Sequence, residues 1–374
     1  MIRGAGYPVQ VPTIDIAEVG AGGGSIAAAD TAGGLKVGPR SAGAAPGPVC
    51  YGRGGVAPTV TDANLVLGYL NPEALVGGEL ALDANRARMA IAALGAQIDL
   101  DLTETAYGIH QIVNATMLRA LKGVSSERGQ DPSKFSLLAI GGNGPVHAAA
   151  LAEAAGMSHV IVPPVAGLFS ALGLLFADVE HQLVRGFYHR LDAQVIASIN
   201  AAAAPQIEAG RRQLAREGYA QPAQQEVQVC LDIQYKGQTS TLTIPMSTYP
   251  ASPGTLDALR TAFEAEHLRT FGYVSGEALQ TVAMKVVCRG LAASPRMPAR
   301  VLHGNARPVR AHRRQAYFGE RFGWLATPVV ARESLAQTPC AGPLIIEEYD
   351  TTVVVRPGWR ARLDDGNNLL LEAE

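Results

Sequence analysis

The sequence has no CxxC pair, no surplus of charge of either sign and no apolar run long enough to cross a bilayer. Its four cysteines, Cys50, Cys230, Cys288 and Cys340, are scattered through 374 residues, which supports neither a disulfide framework nor a zinc knuckle. Lys and Arg number 31 against 33 Asp and Glu, a formal charge of −2. The electrostatic excess that holds proteins on nucleic acid or anionic lipid is therefore missing. No apolar stretch reaches the roughly 18 residues of a spanning helix, and the N-terminus lacks the charged-then-apolar run of a signal peptide. These absences predict a soluble, cytoplasmic protein with no nucleic-acid and no membrane partner. No Gly-Lys dipeptide occurs, which excludes a P-loop, and neither HExxH nor a His/Cys metal spacing is present. Without GxSxG or an evident Cys/His nucleophile setting, covalent hydrolase mechanisms have no support. No metal ligands are assigned.

What is present is length and glycine. At about one domain per ~150 residues the chain has room for two or three, and 48% hydrophobic residues exclude a disordered chain. The 41 glycines crowd toward the front, seventeen of them within residues 4–78. Lys is scarce and Ala abundant, a compositional bias without mechanism.

Residues 1–78 read as short strands and tight turns, the first strand at 11–20. From Asp83, a plausible N-cap, the pattern turns helical, with Ala87, Ala90, Ile91 and Leu94 on one face. A second helix from about Thr103 places Ile109, Ile112, Val113, Thr116, Met117, Ala120 and Leu121 on one stripe. Residues 136–140 then read as a buried strand, 141–144 as a glycine turn and 145–156 as a helix, with Pro145 at its first position and Gly156 at C′. A strand at 159–164 completes a β-turn-α-β unit and implies a parallel sheet covered by helices. Beyond residue 190 an Ala-rich helix at 193–217, a strand pair, a further helix and a strand-rich end follow. The expected boundary lies near residue 190.

Three segments carry candidate chemistry. Gly141, Gly142, Asn143, Gly144 and Pro145 stand between strand and helix, where unpaired N–H groups favour an anion and glycine admits a ligand to the backbone. The same residues would also make an ordinary tight turn. Gly20 to Ser25 differs from GxGxxG in carrying Ser25 at the third glycine position; Gly22, Gly23, Gly24 and Ser25 form either a hairpin lining a cleft or a plain turn. Arg53, between glycines, could clamp a phosphate or carboxylate. Asp62 could orient a metal-bound water or simply cap the helix behind it. His110 and His147 lie within helices, where a lone His is more often packed than catalytic.

Taken together, GAGGGSIAAADTAGGLKVGPRSAGAAPGPVCYGRGGVAPTVTDANLVLG (20–68), NATMLRALKGVSSERGQDP (114–132), GGNGPVHAAALAEAAG (141–156), VIVPPVAGLFSALGLLFADVEH (160–181) and CAGPLIIEEYDTTVVVRPGW (340–359) resemble the hydantoinase/oxoprolinase family, in its ATP-dependent A-type subunit, over nearly the whole chain. The resemblance implies an α/β protein: the second lobe of an actin-like, sugar-kinase-like (ASKHA) ATPase fold over residues 1–190, then a mixed α/β, strand-rich C-terminal domain over 191–374. It implies ATP with Mg²⁺, Gly141 to Pro145 as the adenosine-side turn, and hydrolytic opening of a cyclic amide such as a hydantoin, N-methylhydantoin or 5-oxoproline. A related branch activates ketones for carboxylation, as in acetone and acetophenone carboxylases. The implied partner is a B-type subunit in a hetero-oligomer. The family's Asp-x-Gly-Gly-Thr and Gly-Gly-Thr-Ser phosphate motifs have no counterpart in the sequence. A separate N-terminal lobe is thus a second expected partner; a truncated product and a non-catalytic assembly module are the alternatives.

Overall fold

A computed structural model describes residues 16–73, 78–126, 129–291 and 312–374. Of the first expected strand, 11–15 lie outside the described residues and 16–20 form no strand. An antiparallel hairpin of β1 (Ser25–Ala29) and β2 (Leu35–Ser41) comes first. Its turn is closed by Asp30, whose Oδ1 accepts the N–H groups of Ala32 and Gly34, each at 2.8 Å. Three helices follow, each with an acceptor side chain before its first turn, where backbone donors have no helical partner. Thr59 caps α1 (Val60–Val66), Asp83 caps α2 (Ala84–Gly95) and Asp101 caps α3 (Leu102–Val124). The expected faces of α2 and α3 are the buried ones, with Ala87, Ile91 and Leu94 on the first and Ile109 and Val113 on the second.

The strand-turn-helix-strand unit is present as β3 (Leu137–Leu138), α4 (Gly144–Ala155) and β4 (His159–Val162), and β3 pairs β4 in parallel. Gly156 ends α4 with φ +74°, the left-handed cap that glycine adopts without a Cβ penalty. Pro145 stands one residue further in than expected, because α4 begins at Gly144. The eight-residue α5 (Phe169–Phe176) follows.

Next come β5 (Val179–Arg190), α6 (Val195–Arg216), β6 (Gln225–Tyr235), β7 (Leu242–Pro245), α7 (Pro253–Phe271) and β8 (Leu279–Gly290). The C-terminal residues supply β9 (His312–Tyr317), β10 (Trp324–Ala331), β11 (Cys340–Ala341), β12 (Leu344–Glu347), β13 (Thr352–Val355), β14 (Trp359–Leu363) and β15 (Leu369–Ala373).

Two compact units result, and they do not follow the order of the chain. The described C-terminal residues from 312 onward group with 16–175, while 176–291 stand as the other unit. Pairing explains this: β15 lies antiparallel against β4, from Leu369 opposite Val162 to Glu372 opposite His159. The sheet that the βαβ unit was expected to build in parallel is therefore mixed. Among the described residues its order is β11-β14-β15-β4-β3, parallel only at β3 with β4, with β3 at one edge.

In this unit a second sheet, β13-β12-β10-β9, has both faces covered. All four residues of β12 and of β13 are buried. Side-chain alternation sends Ile345 and Val354 into a core with Val60, Ile91 and Ile109, while Leu344, Ile346, Val353 and Val355 join Ala148, Ala152, Val160 and Leu371 on the other face. The unit of 176–291 is an antiparallel sheet, β5-β8-β6-β7, whose Leu231, Ile233, Met284 and Val286 pack with Ile199, Leu214, Leu259 and Phe263 of α6 and α7.

Candidate functional site

The glycine segments that the sequence singled out meet within the unit of 16–175 and 312–374. The 20–25 loop is held by its own serine: Ser25 is buried, and its Oγ accepts the Gly22 N–H at 3.0 Å. The loop is tied to α1 through the Gly23 carbonyl, which accepts both the N–H and the hydroxyl of Thr61 at 2.9 Å. A Cβ on Gly23 would stand 2.8 Å from Thr61 Oγ1, and one on Gly24 2.9 Å from Ser41 Oγ. Those two glycines serve close approach. Gly22 differs, since a Cβ there meets nothing within 4 Å.

The 141–145 turn is held from the opposite side. Gly141 has φ +84° and donates its N–H to the Ala166 carbonyl at 2.7 Å. The Thr351 hydroxyl lies 3.1 Å from the Gly142 carbonyl, and Asp350 Oδ2 accepts the Gly167 N–H at 2.8 Å. Gly167 is fixed as glycine because a Cβ would fall 2.3 Å from the Asp350 carbonyl, whereas at Gly142 the same carbonyl is 3.3 Å away and at Gly144 nothing lies within 4 Å. Three loops thus converge, 141–145, 165–168 and 348–352, and the last was not legible as part of a site. Open backbone at Gly144, on the first turn of α4, is where a ligand's acceptor atoms can approach unpaired N–H groups.

Asn143 joins the two glycine segments. A Cβ on Gly23 would lie 3.6 Å from its Cγ, so its carboxamide faces the 20–25 loop. Its Oδ1 accepts from Asn64 Nδ2 at 3.4 Å, while its Nδ2 is buried without a hydrogen-bond partner among the described residues. Behind it runs a buried polar chain. His110 Nδ1 is 2.9 Å from Asn64 Oδ1, Asn64 Nδ2 is 3.2 Å from His147 Nε2, and His147 Nδ1 is 2.6 Å from Asn114 Oδ1. The two imidazoles stack with centroids 4.6 Å apart. Burial pulls both below the usual histidine range, His147 to about 4; each is neutral at pH 7.

Asp62 is fully engaged with the backbone and is not a free reacting group. Asp62 is fully buried, and its oxygens accept the N–H groups of Val49 (3.2 Å), Cys50 (2.7 Å) and Thr59 (2.8 Å) and the Thr59 hydroxyl (2.8 Å). It braces the start of α1 and the 49–51 turn, which is the capping alternative. Arg53 is exposed. Cys50 is buried beside Asp62, and desolvation, then the carboxylate, push its thiol up, so it is no nucleophile. Among the described residues no group of three or more His, Cys, Asp or Glu could hold a metal ion, and no helix is long and apolar enough to cross a membrane.

The sequence profile of the Hydantoinase/oxoprolinase family matches residues 2–183, and that of the Hydantoinase/oxoprolinase C-terminal domain matches 189–373. The caprolactamase alpha subunit of Pseudomonas jessenii is 37% identical over 96% of the chain and 52% of its own length. The crystal structure of the ATP-dependent caprolactamase from that organism superposes with a TM-score of 0.78 at 36% identity, over 94% of this chain and 52% of that one. Nucleotide-free acetone carboxylase, described for ATP-dependent acetone carboxylation, gives 0.75 at 28% identity, over 95% of this chain and 52% of that one. The chain spans about half the length of the relatives it matches.

Proposed function

The chain belongs to the hydantoinase/oxoprolinase family, and from that premise we propose that it contributes the nucleotide-facing glycine cradle of an ATP-dependent enzyme that opens a cyclic amide. One observation carries the reading: two glycine segments face each other across the Asn143 carboxamide, with the buried donor of Asn143 unpaired and open space over Gly22 and Gly144. That arrangement fits a polar, acceptor-rich ligand. Bound ATP would supply the phosphoryl group that converts an inert amide oxygen into a leaving group. The residues of this chain hold and orient: Gly141, Gly142, Gly144 and Pro145 shape the turn, Gly22 leaves its backbone accessible, and Gly23, Gly24 and Ser25 fix the loop opposite. Among the described residues no group of three or more His, Cys, Asp or Glu could hold a metal ion, and Mg²⁺ is not assigned to side chains of this chain.

The partners proposed are a polypeptide equivalent to the half of the relatives that this chain does not span, and a second type of subunit, in keeping with the relative being named a subunit. Edge strand β3, with Leu138 exposed, offers that polypeptide a pairing site. The hydrolase branch is preferred because caprolactamase shares more identity with the chain than acetone carboxylase does. Co-expression with such a polypeptide and a candidate second subunit provides the test. ATP-dependent ring opening across a panel of lactams and hydantoins is the expected result. ATP-dependent consumption of bicarbonate with a ketone, and no lactam opening, would move the chain to the carboxylase branch. A stable complex with no turnover on either panel would make it an assembly module.

A further inference from the structure

The orphan donor of Asn143 and the buried histidine chain behind it belong to one device. Asn64 stands at its centre with both ends of its carboxamide engaged. Oδ1 can only accept, so His110 must carry its proton on Nδ1, 2.9 Å away. Nδ2 can only donate, so His147 Nε2, at 3.2 Å, must be unprotonated. Burial keeps His147 neutral, which puts its one proton on Nδ1, facing Asn114 Oδ1 at 2.6 Å. The second hydrogen of Asn64 Nδ2 is then directed at Asn143 Oδ1, 3.4 Å away. Every hydrogen bond in the chain runs in one direction. Its end is an Asn143 carboxamide that shows Nδ2, not Oδ1, to the cradle between Gly23 and Gly144.

We propose that His110, Asn64 and His147 are positioning residues whose fixed proton arrangement makes Asn143 present a hydrogen-bond donor to an acceptor oxygen of the ligand bound in the glycine cradle. Were the chain reversed, with His147 protonated on Nε2, Asn64 would offer its oxygen, and Asn143 would have to turn its own Nδ2 inward and its Oδ1 toward the ligand. A phosphate or amide carbonyl oxygen would then meet a like partner and be repelled. The histidines thus act without touching the ligand, and their burial protects the direction of the chain, because a protonated imidazole could not accept from Asn64. The inference rests on the cradle being the ligand site of the proposed function. Its ligand chemistry, an acceptor oxygen, is common to the ATP phosphates and to the lactam.

Nitrogen-15 NMR of the imidazole rings in the wild-type chain should show His147 as the Nδ1–H tautomer at pH 7; the Nε2–H tautomer would overturn the proposal whatever the activity. Titration calorimetry of the co-expressed complex with ATP and, separately, with a lactam identifies the oxygen that is met. Asn143→Asp keeps the size and exchanges the donor for an acceptor. It should weaken one of the two ligands about 10- to 100-fold, the range expected for a hydrogen bond to a charged or strongly polar group, measured on complex that a thermal melt shows to be folded at the assay temperature. Asn64→Asp, with Asn143 intact, should shift His147 to Nε2–H and weaken the same ligand. Wild-type affinity for both ligands in Asn143→Asp overturns the donor role. A wild-type complex that binds neither ligand overturns the functional reading and this inference together, whereas binding by the wild type with no effect of either variant overturns the inference alone.

Discussion

Arg332 and Glu348 form an ion pair with Nη2 and Oε1 2.7 Å apart, their side chains only 1% and 2% exposed. Arg332 also donates to the carbonyls of Val162, Pro163 and Asn367, at 3.3, 3.0 and 2.7 Å. One guanidinium therefore joins the end of β4, the approach to the 165–168 loop and the turn before β15. Glu348 begins the loop that carries Asp350 and Thr351 to the glycine turn. Substituting one partner leaves the other charged, buried and unpaired, which costs about 3–5 kcal/mol. Arg332→Leu should lose that much in urea denaturation and should broaden the signals of Gly141 and Gly167, while Arg356→Leu, whose partner Glu153 is exposed, should lose under about 1 kcal/mol.

The cleft glycines divide by what a methyl group would meet. Gly23→Ala places Cβ 2.8 Å from Thr61 Oγ1 and should cost about 1–3 kcal/mol by forcing the loop from α1. Gly144→Val enters open space and should leave Tm within a few degrees while abolishing nucleotide binding in the completed enzyme. Parallel thermal melts and calorimetry separate the two. Equal nucleotide affinity in Gly144→Val and wild type would remove the cradle from the nucleotide.

Asp62, at a helix start, and Arg53, between glycines, were both cleft candidates in the sequence, and their variants should diverge. Asp62→Ala strands three buried N–H groups and a hydroxyl and should destabilise by about 3 kcal/mol or more. Arg53→Ala, at an exposed position, should fall within about 0.5 kcal/mol of wild type. Denaturant midpoints decide the matter, and a drop in activity of Arg53→Ala at unchanged stability would give it a role in the cleft.

The pattern of success and failure in the sequence reading follows the range of the interactions. Asp83 as a cap, the α3 stripe and the left-handed Gly156 are decided within a few residues, and pattern alone exposes them. The expectation of a parallel sheet failed because β4 takes a neighbour, β15, some two hundred residues further on, and short strands such as Leu137–Leu138 carry too little alternation to announce their partners. The same holds at the site. Glycine turns were legible, whereas the chain from His110 through Asn64 to His147 joins residues 46 and 83 positions apart. Thr351 reaches the turn from about 210 positions away, and Asp350 reaches Gly167 across 183. Nothing in a linear string marks Asn64 as polar and buried, since it sits in an otherwise ordinary helical run.

The stacked histidines make stability depend on pH, and the sign can be worked out. His147 is held at about 4 by burial, and His110 is lowered by burial, then by His147 and the Arg356 charge. In the unfolded chain both titrate near 6.5. Between these values the unfolded state binds more protons than the native one, so stability is complete above about pH 7 and falls as the pH drops through 6.5. Each histidine contributes at most about 1.4 kcal/mol per pH unit. From pH 7.5 to 5 His147 alone should remove about 2 kcal/mol. Urea midpoints across this range should decline for the wild type and decline less for His147→Gln, whose amide keeps a hydrogen-bonding group near Asn64 but cannot take a proton. A wild-type midpoint that is flat from pH 7.5 to 5 would mean that the two imidazoles titrate normally in the fold, and with that the neutral, one-directional hydrogen-bond chain behind Asn143 would have no basis.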